Sequence, residues 1–235
     1  MGWWYGAGSG ADRVSDDGDG AADAVDGGTA GGVGGDVKGM TQTYTWNPMP
    51  HILAVRCPDC EAGAVFEFAE MALIRRKADI PYFQSSKNFS VLDYYSSGWK
   101  KLAIFWHQLG NPLSAINDFP TGYDPGMWAH SEYLVRKGPG DLGTIVCAQC
   151  GLRRKHVLEW PGNAWFQIDY RGQVLWAFER SSMVALTNFI ASKDRQKAGR
   201  PWAGFLMKIP SLFLEAKARE AILRKLRARL GMQGA

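Results

Sequence analysis

The chain has 235 residues, 46% of them hydrophobic and 12% aromatic, enough apolar side chain to bury a sizeable core. Its net charge of +4 hides an asymmetry, because seven aspartates against Arg13 and Lys38 make residues 1–39 acidic (−5) and leave +9 on the rest. No run of about 18 apolar residues exists to span a bilayer and the start lacks the basic and apolar stretches of a secretory signal, so the expectation is a cytoplasmic protein with reduced thiols and no membrane partner.

Residues 1–39 hold 13 of the 28 glycines and show almost no apolar periodicity. Such a segment cannot bury enough surface to offset its ordering entropy and is expected to be disordered. GAGSGA at 6–11 fits a loose dinucleotide pattern, but no strand precedes it and no amphipathic helix follows, so the motif lacks the context that gives it meaning. Met40 opens the first patterned sequence and is a candidate initiator. A single domain is expected over 40–235.

From Ile52 the chain reads as strands. ILAVR runs into Cys57, and after Cys60 and Gly63 the alternation of AVFEF suits a half-buried strand, making a hairpin with CPDC at its tip. Residues 64–143 form an insertion of loose pattern, in which WKKLAIFWHQ (99–108) and SEYLVRKG (131–138) look like strands around the turn-rich NPLSAINDFPTGYDPG. TIVC then enters a second knuckle, CAQC, and RRKHVLEW leaves it. AWFQIDY and QVLWAF follow as strands joined by a tight turn at Arg171-Gly172, an expected antiparallel meander. Phe166, Ile168 and Tyr170 share one face of the first, and Val174, Trp176 and Phe178 one face of the second.

Helices occupy 181–231. Ser181 or Ser182 is placed to cap SSMVALTNFIASKD, where Met183, Leu186 and Ile190, with Val184, Ala185 and Phe189, recur at helical spacing before Lys193 meets the negative helix end. A second helical region starts near Pro210 and stops at Gly231, with an apolar stripe of Leu212, Leu214, Ile222, Leu223, Leu226 and Leu230 and a strongly basic remainder.

Cys57, Cys60, Cys147 and Cys150 are the four cysteines of the chain. Two CxxC knuckles supply the four soft ligands that a tetrahedral zinc ion takes, and strand-like flanks with Gly151 after Cys150 suit a zinc ribbon. Competing readings are a redox pair and ordinary buried thiols. Redox CxxC motifs generally begin a helix, which neither pair does here. A complete thiolate set has no open position, which makes one Zn2+ structural rather than catalytic; His51 and His156, each six residues from a cysteine, are alternative ligands.

No phosphate loop, HExxH or nucleophile elbow is present. His107 and His130, with Asp118, Asp124 and Glu132 near in sequence, are the one place where the insertion could hold an active site. Arg153, Arg154 and Lys155 beyond the second knuckle, and Arg224, Lys225 and Arg227 on the last helix, are candidate phosphate contacts, with Trp160 and Trp165 as candidate base-stacking residues. The plainer alternative is a solvated basic face, with the tryptophans covering the sheet where helices dock.

The order CAQCGLRRK, AWFQIDYRGQVLWAF, ALTNFIASKDR and KIPSLFLEAKAREAILRKL resembles small bacterial zinc-ribbon proteins of unknown function, over about the last 90 residues plus the CPDC knuckle. Such proteins are sometimes labelled after the primosomal replication-restart helicase because of its ribbon; helicase motor motifs are absent here, so that activity does not transfer. The resemblance implies functional positions only at Cys57, Cys60, Cys147 and Cys150. Together these readings give an α+β fold: a zinc ribbon with an antiparallel sheet meander and C-terminal helices. The expected function is a non-catalytic binding module for nucleic acid or a nucleic-acid-processing partner. Alternatives are a protein–protein adaptor, or an enzyme using residues 64–143.

Overall fold

A computed structural model describes residues 49–130, 140–192 and 201–231. The segment 1–39, Met40, the strand expected at 131–138, Glu132 and Lys193 lie outside the described residues. The fold is mixed α+β, with antiparallel sheets and a C-terminal helix.

The first sheet has the order β1-β2-β6-β7, where β1 is Ile52–Arg56, β2 Gly63–Phe68, β6 Leu142–Val146 and β7 Arg153–Val157. It is two hairpins laid side by side. Each hairpin turns through one CxxC knuckle, and β2 pairs with β6 from Val65↔Val146 to Phe68↔Gly143, which brings the knuckles to the same end. Gly143 is required at this seam. A Cβ there would run into the Phe66 ring and the Glu67 carbonyl, so only a bare Cα lets the two hairpins close.

Between the hairpins, a second sheet of order β3-β5-β4 is built from Glu70–Leu73, Trp99–Phe105 and Phe89–Tyr95. A short helix, α1 (Ile80–Ser85), packs on β4. The expected strand at 99–108 is thus present as β5, whereas β3, β4 and α1 escaped sequence reading. From Leu102 onward β5 is buried on both faces. Ala103 and Phe105 join a cluster with Phe83, Phe89 and Trp128, while Leu102, Ile104 and Trp106 join a second cluster with Met71. That two-sided burial explains the near-continuous apolar run LAIFW.

The expected meander is interrupted. β8 (Phe166–Tyr170) and β9 (Gln173–Ala177) form their own two-stranded sheet and do not extend from β7. They lie instead beside β1: the Ala54 amide donates to the Phe178 carbonyl at 2.7 Å and the Trp165 amide to the Ala54 carbonyl at 3.0 Å, around a bridge between Val55 and Ala164. The chain therefore crosses from one edge of the first sheet to the other before pairing. The Arg171-Gly172 turn forms as expected, with φ of 50° and 75° at its two central residues, the left-handed pair that a two-residue hairpin needs.

Helices α2 (Arg180–Ala191), α3 (Ala203–Leu206) and α4 (Ala216–Gly231) cover this side. The cap of α2 is Glu179, not Ser181 or Ser182: its carboxylate accepts from the backbone amides of both serines, while the Ser182 hydroxyl sits 3.0 Å from the Glu179 amide in a reciprocal box. Met183, Leu186 and Ile190 are buried, and Val184 is exposed. On α4 the buried stripe is Ala218, Ile222 and Leu226; the expected helical region does start after Pro210, but as a short 3-10 helix at Ser211–Leu214 that buries Phe213, separate from α4. Phe166 and Ile168 of β8 are buried, and both faces of β9 are covered, Leu175 and Ala177 as fully as Trp176.

Candidate metal centre

The knuckles are built alike. The Cys57 amide donates to the Ala62 carbonyl at 2.8 Å and the Cys147 amide to Leu152 at 2.9 Å; the Glu61 amide reaches the Cys57 carbonyl, and the Gly151 amide the Cys147 carbonyl, each at 3.0 Å. The residue after each second cysteine is left-handed, φ 60° at Glu61 and 75° at Gly151. These turns point four sulfurs at one place. Cys57 and Cys150 lie 3.7 Å apart and Cys60 and Cys147 3.6 Å apart, with all four ligand atoms within 4.8 Å. Metal–thiolate bonds of about 2.3 Å set tetrahedrally place sulfurs about 3.8 Å apart. The close pairs run between knuckles, and all four cysteines are free of disulfides.

The crowded thiols do not ionise alike. Cys147 is drawn down to about 7: burial opposes its ionisation, but the backbone amides of Cys150 and Gln149 and the neighbouring thiols outweigh it. At Cys60 the backbone amide of Ala62 favours the thiolate, yet burial and the other three sulfurs push the group up to about 12. Cys150 is raised as well, against the pull of the Leu152 backbone amide. Four crowded thiols cannot all ionise by themselves, and a divalent ion that takes them all as thiolates must release protons on binding. Neither CxxC starts a helix, so the field that activates redox cysteines is lacking.

His156 is not part of this group. It lies on β7 with its Nε2 3.3 Å from the Asn163 side chain and its ring edge-on to Phe66. His51 belongs to a different cluster. There His107 and His130 do come together, but with Glu67, Glu70 and His51 rather than with Asp118 or Asp124. Asp118 instead accepts from the Tyr82 hydroxyl, and Asp124 from the Gly126 amide. The two glutamates were missed in the sequence, although acidic residues inside the apolar run AVFEFAEMAL signal groups that need partners when buried. Burial, partly countered by Glu67, holds the His107 imidazole below its ordinary pKa.

The basic residues fall into two separate sets. Arg153, Arg154 and Lys155 are exposed on β7, the free edge of the first sheet, where Arg154 meets Asp59 of the first knuckle at 3.2 Å and Lys155 covers the Trp106 ring. Arg224, Lys225 and Arg227 are exposed on α4, which packs against β8 beyond the opposite edge; Lys225 donates to the Asp169 carbonyl at 2.5 Å. Trp165 is buried beneath Arg229, and Trp160 stacks on Phe178 and meets Trp176 edge-on. Trp165 is thus a packing residue with no ring face for a base, while Trp160 is half-buried against the core. Among the described residues, no helix is long and apolar enough to cross a membrane.

Comparison of the chain with family models, with curated proteins and with solved structures returns no match. Function is therefore read from the geometry.

Proposed function

We propose that the chain is a zinc-ribbon binding module. One zinc ion held by Cys57, Cys60, Cys147 and Cys150 locks two hairpins together, and the basic surface beside it contacts nucleic acid or a partner that processes nucleic acid. The observation that carries the metal half is the cross-knuckle sulfur spacing of 3.6 and 3.7 Å. Four thiolates in this geometry suit zinc or iron, and among these zinc needs no redox partner. With every coordination position filled by protein, the ion is structural and carries out no reaction.

The nucleic-acid half rests on exposed charge. Arg153 and Arg154 project from an edge strand that begins two residues after Gly151, so the ion fixes their position. Arg224 and Arg227 line a shallow groove with Lys217 on α4. Because the two sets sit beyond opposite edges of the sheet, one bound strand is expected to use one set only.

Metal analysis of pure, reduced protein tests the first half, with one zinc per thiolate set expected and metal-free folded protein fatal to it. Fluorescence anisotropy with single- and double-stranded DNA and RNA at two salt concentrations tests the second. Binding must weaken steeply with salt, and alanine at a contacting arginine should lower the salt slope by about 1. No binding at low salt removes nucleic acid as the partner and leaves a protein adaptor.

A further inference from the structure

The chain passes from the first sheet to the second within a few residues, and two carboxylates mark the crossing: Glu67 near the end of β2 and Glu70 at the start of β3. Three imidazoles close over them. His51 comes just before β1, His107 two residues after β5, and His130 two residues after the 3-10 turn Pro125–Trp128. The rings are layered with His130 in the middle, its centroid 3.9 Å from that of His51 and 4.7 Å from that of His107.

The glutamate side chains are 12% and 8% exposed, and their ion-pair partners among the described residues are histidines, not lysine or arginine. Two largely buried carboxylates need positive charge to remain ionised. Three imidazoles in ring contact cannot all supply it, since like charges so close oppose one another. A single divalent ion would balance both.

We propose that His107, His130 and Glu67 bind a divalent transition-metal ion, separate from the thiolate centre, through His107 Nδ1, His130 Nε2 and Glu67 Oε1. The Glu67 oxygen lies 3.4 Å from each of these nitrogens. Ligands about 2.1 Å from a tetrahedral ion are separated by about 3.4 Å, which both Glu67 distances match, and all three ligand atoms lie within 4.8 Å of one another. Tautomer choice selects this side of His130. Its Nδ1 lies 2.8 Å from Glu70 Oε1, so Nδ1–H donates there and leaves the Nε2 lone pair for metal, the carboxylate–histidine–metal arrangement that orients ligating imidazoles. Gln108 donates to the other Glu67 oxygen at 2.6 Å and holds the carboxylate in place.

Two nitrogens and one oxygen suit zinc, iron, cobalt or nickel. Three protein ligands leave a position open for water or an exogenous ligand, unlike the closed thiolate set. The thiolates lie at the Gly63 end of β2 and this cluster at the other, so the second ion would fasten the inserted sheet to the first.

Cobalt(II) titrated into the reduced, metal-free full chain distinguishes the two centres, because thiolate-bound cobalt absorbs strongly in the near ultraviolet and cobalt on nitrogen and oxygen does not. Two equivalents are expected, only one giving thiolate absorption. His107→Ala/His130→Ala should lose the other equivalent alone, and Glu70→Gln should weaken it about 10–100-fold. A wild type that takes up only the equivalent with thiolate absorption, or a second equivalent that survives the double substitution, overturns the proposal. If the double variant fails to fold, seen as loss of its thiolate absorption, Glu67→Gln decides: an unchanged second equivalent there also overturns it. Loss of thiolate absorption in the wild type with the second equivalent retained would count against the ribbon reading and leave this site standing.

Discussion

The two sheets hold themselves together in different ways. The first spreads its apolar residues into one large core shared with β8, β9 and the helices, and brings four cysteines together at its far end. The second has no cysteine. It is clamped between two small clusters, the larger an aromatic nest in which the Trp128 ring stacks on Phe119 and contacts Phe83 and Phe89, while its indole donates to the Ala103 carbonyl at 2.9 Å. The rings fill the interior of the second sheet, whereas the knuckle end of the first carries four sulfurs brought to one place.

That contrast is broken most sharply at the thiolates. Cys147→Ser should release the metal and abolish cooperative unfolding of the first sheet, since structural zinc contributes on the order of 10 kcal/mol or more to small domains that depend on it. Zinc content and a thermal melt followed by circular dichroism would read both. Retention of stoichiometric zinc with an unchanged melt would mean that sulfur is not what closes the end.

Trp128→Ala attacks the other side and should cost about 3–5 kcal/mol, by lost burial and a cavity. Metal at the four cysteines should stay. Denaturant unfolding measures the loss, and the thiolate absorption of the cobalt-substituted variant checks that the damage is confined to the second sheet. If the variant also lost that absorption, the two regions would be one cooperative unit.

A smaller effect separates the regions by pH. Asp79, buried at the head of α1, receives two hydrogen bonds from Arg76 at 2.9 and 3.0 Å, and that guanidinium holds its carboxyl below the ordinary 3.8 despite burial. A depressed carboxyl binds its proton less readily folded than unfolded. Its contribution is therefore complete above 3.8 and is lost as pH falls through the folded value. Asp79→Asn should flatten the acid side of the stability curve while leaving zinc content at neutral pH untouched. An identical acid limb in wild type and variant would exclude the pair as a source of stability.

Legibility in the sequence followed the range of the interactions. Both CxxC pairs, the Arg171-Gly172 turn and the stripe of α2 are local, and their spacing alone places them. β3 and β4 were hidden because FSVLDYY and EMAL lie under side chains from both clusters and show no clean alternation. The meander failed for a related reason: strand pairing depends on where the Trp160–Ala164 connection carries the chain, which no local pattern encodes. Hardest of all was the histidine cluster. His51, Glu67, Glu70, His107 and His130 meet only after two sheets have folded, and near neighbours in sequence drew attention to Asp118 and Asp124 instead.

The smallest expected effect compares the two knuckles with each other. Gly151 and Glu61 occupy equivalent positions after their second cysteines, both with positive φ, yet only one is glycine. Glutamate in this conformation brings its Cβ close to the carbonyl oxygen, a cost that glycine avoids at the expense of a more flexible unfolded chain. The strain should outweigh the flexibility, so Glu61→Gly is expected to stabilise by about 0.5–1 kcal/mol without changing metal stoichiometry. Gly151→Ala, the reverse step, should destabilise by a similar or larger amount. Equal and opposite shifts in the denaturation midpoint would establish that the knuckles are mechanically equivalent halves of one centre. A destabilised Glu61→Gly would instead mean that the first knuckle depends on its glutamate side chain, and that the two hairpins share a shape without sharing a role.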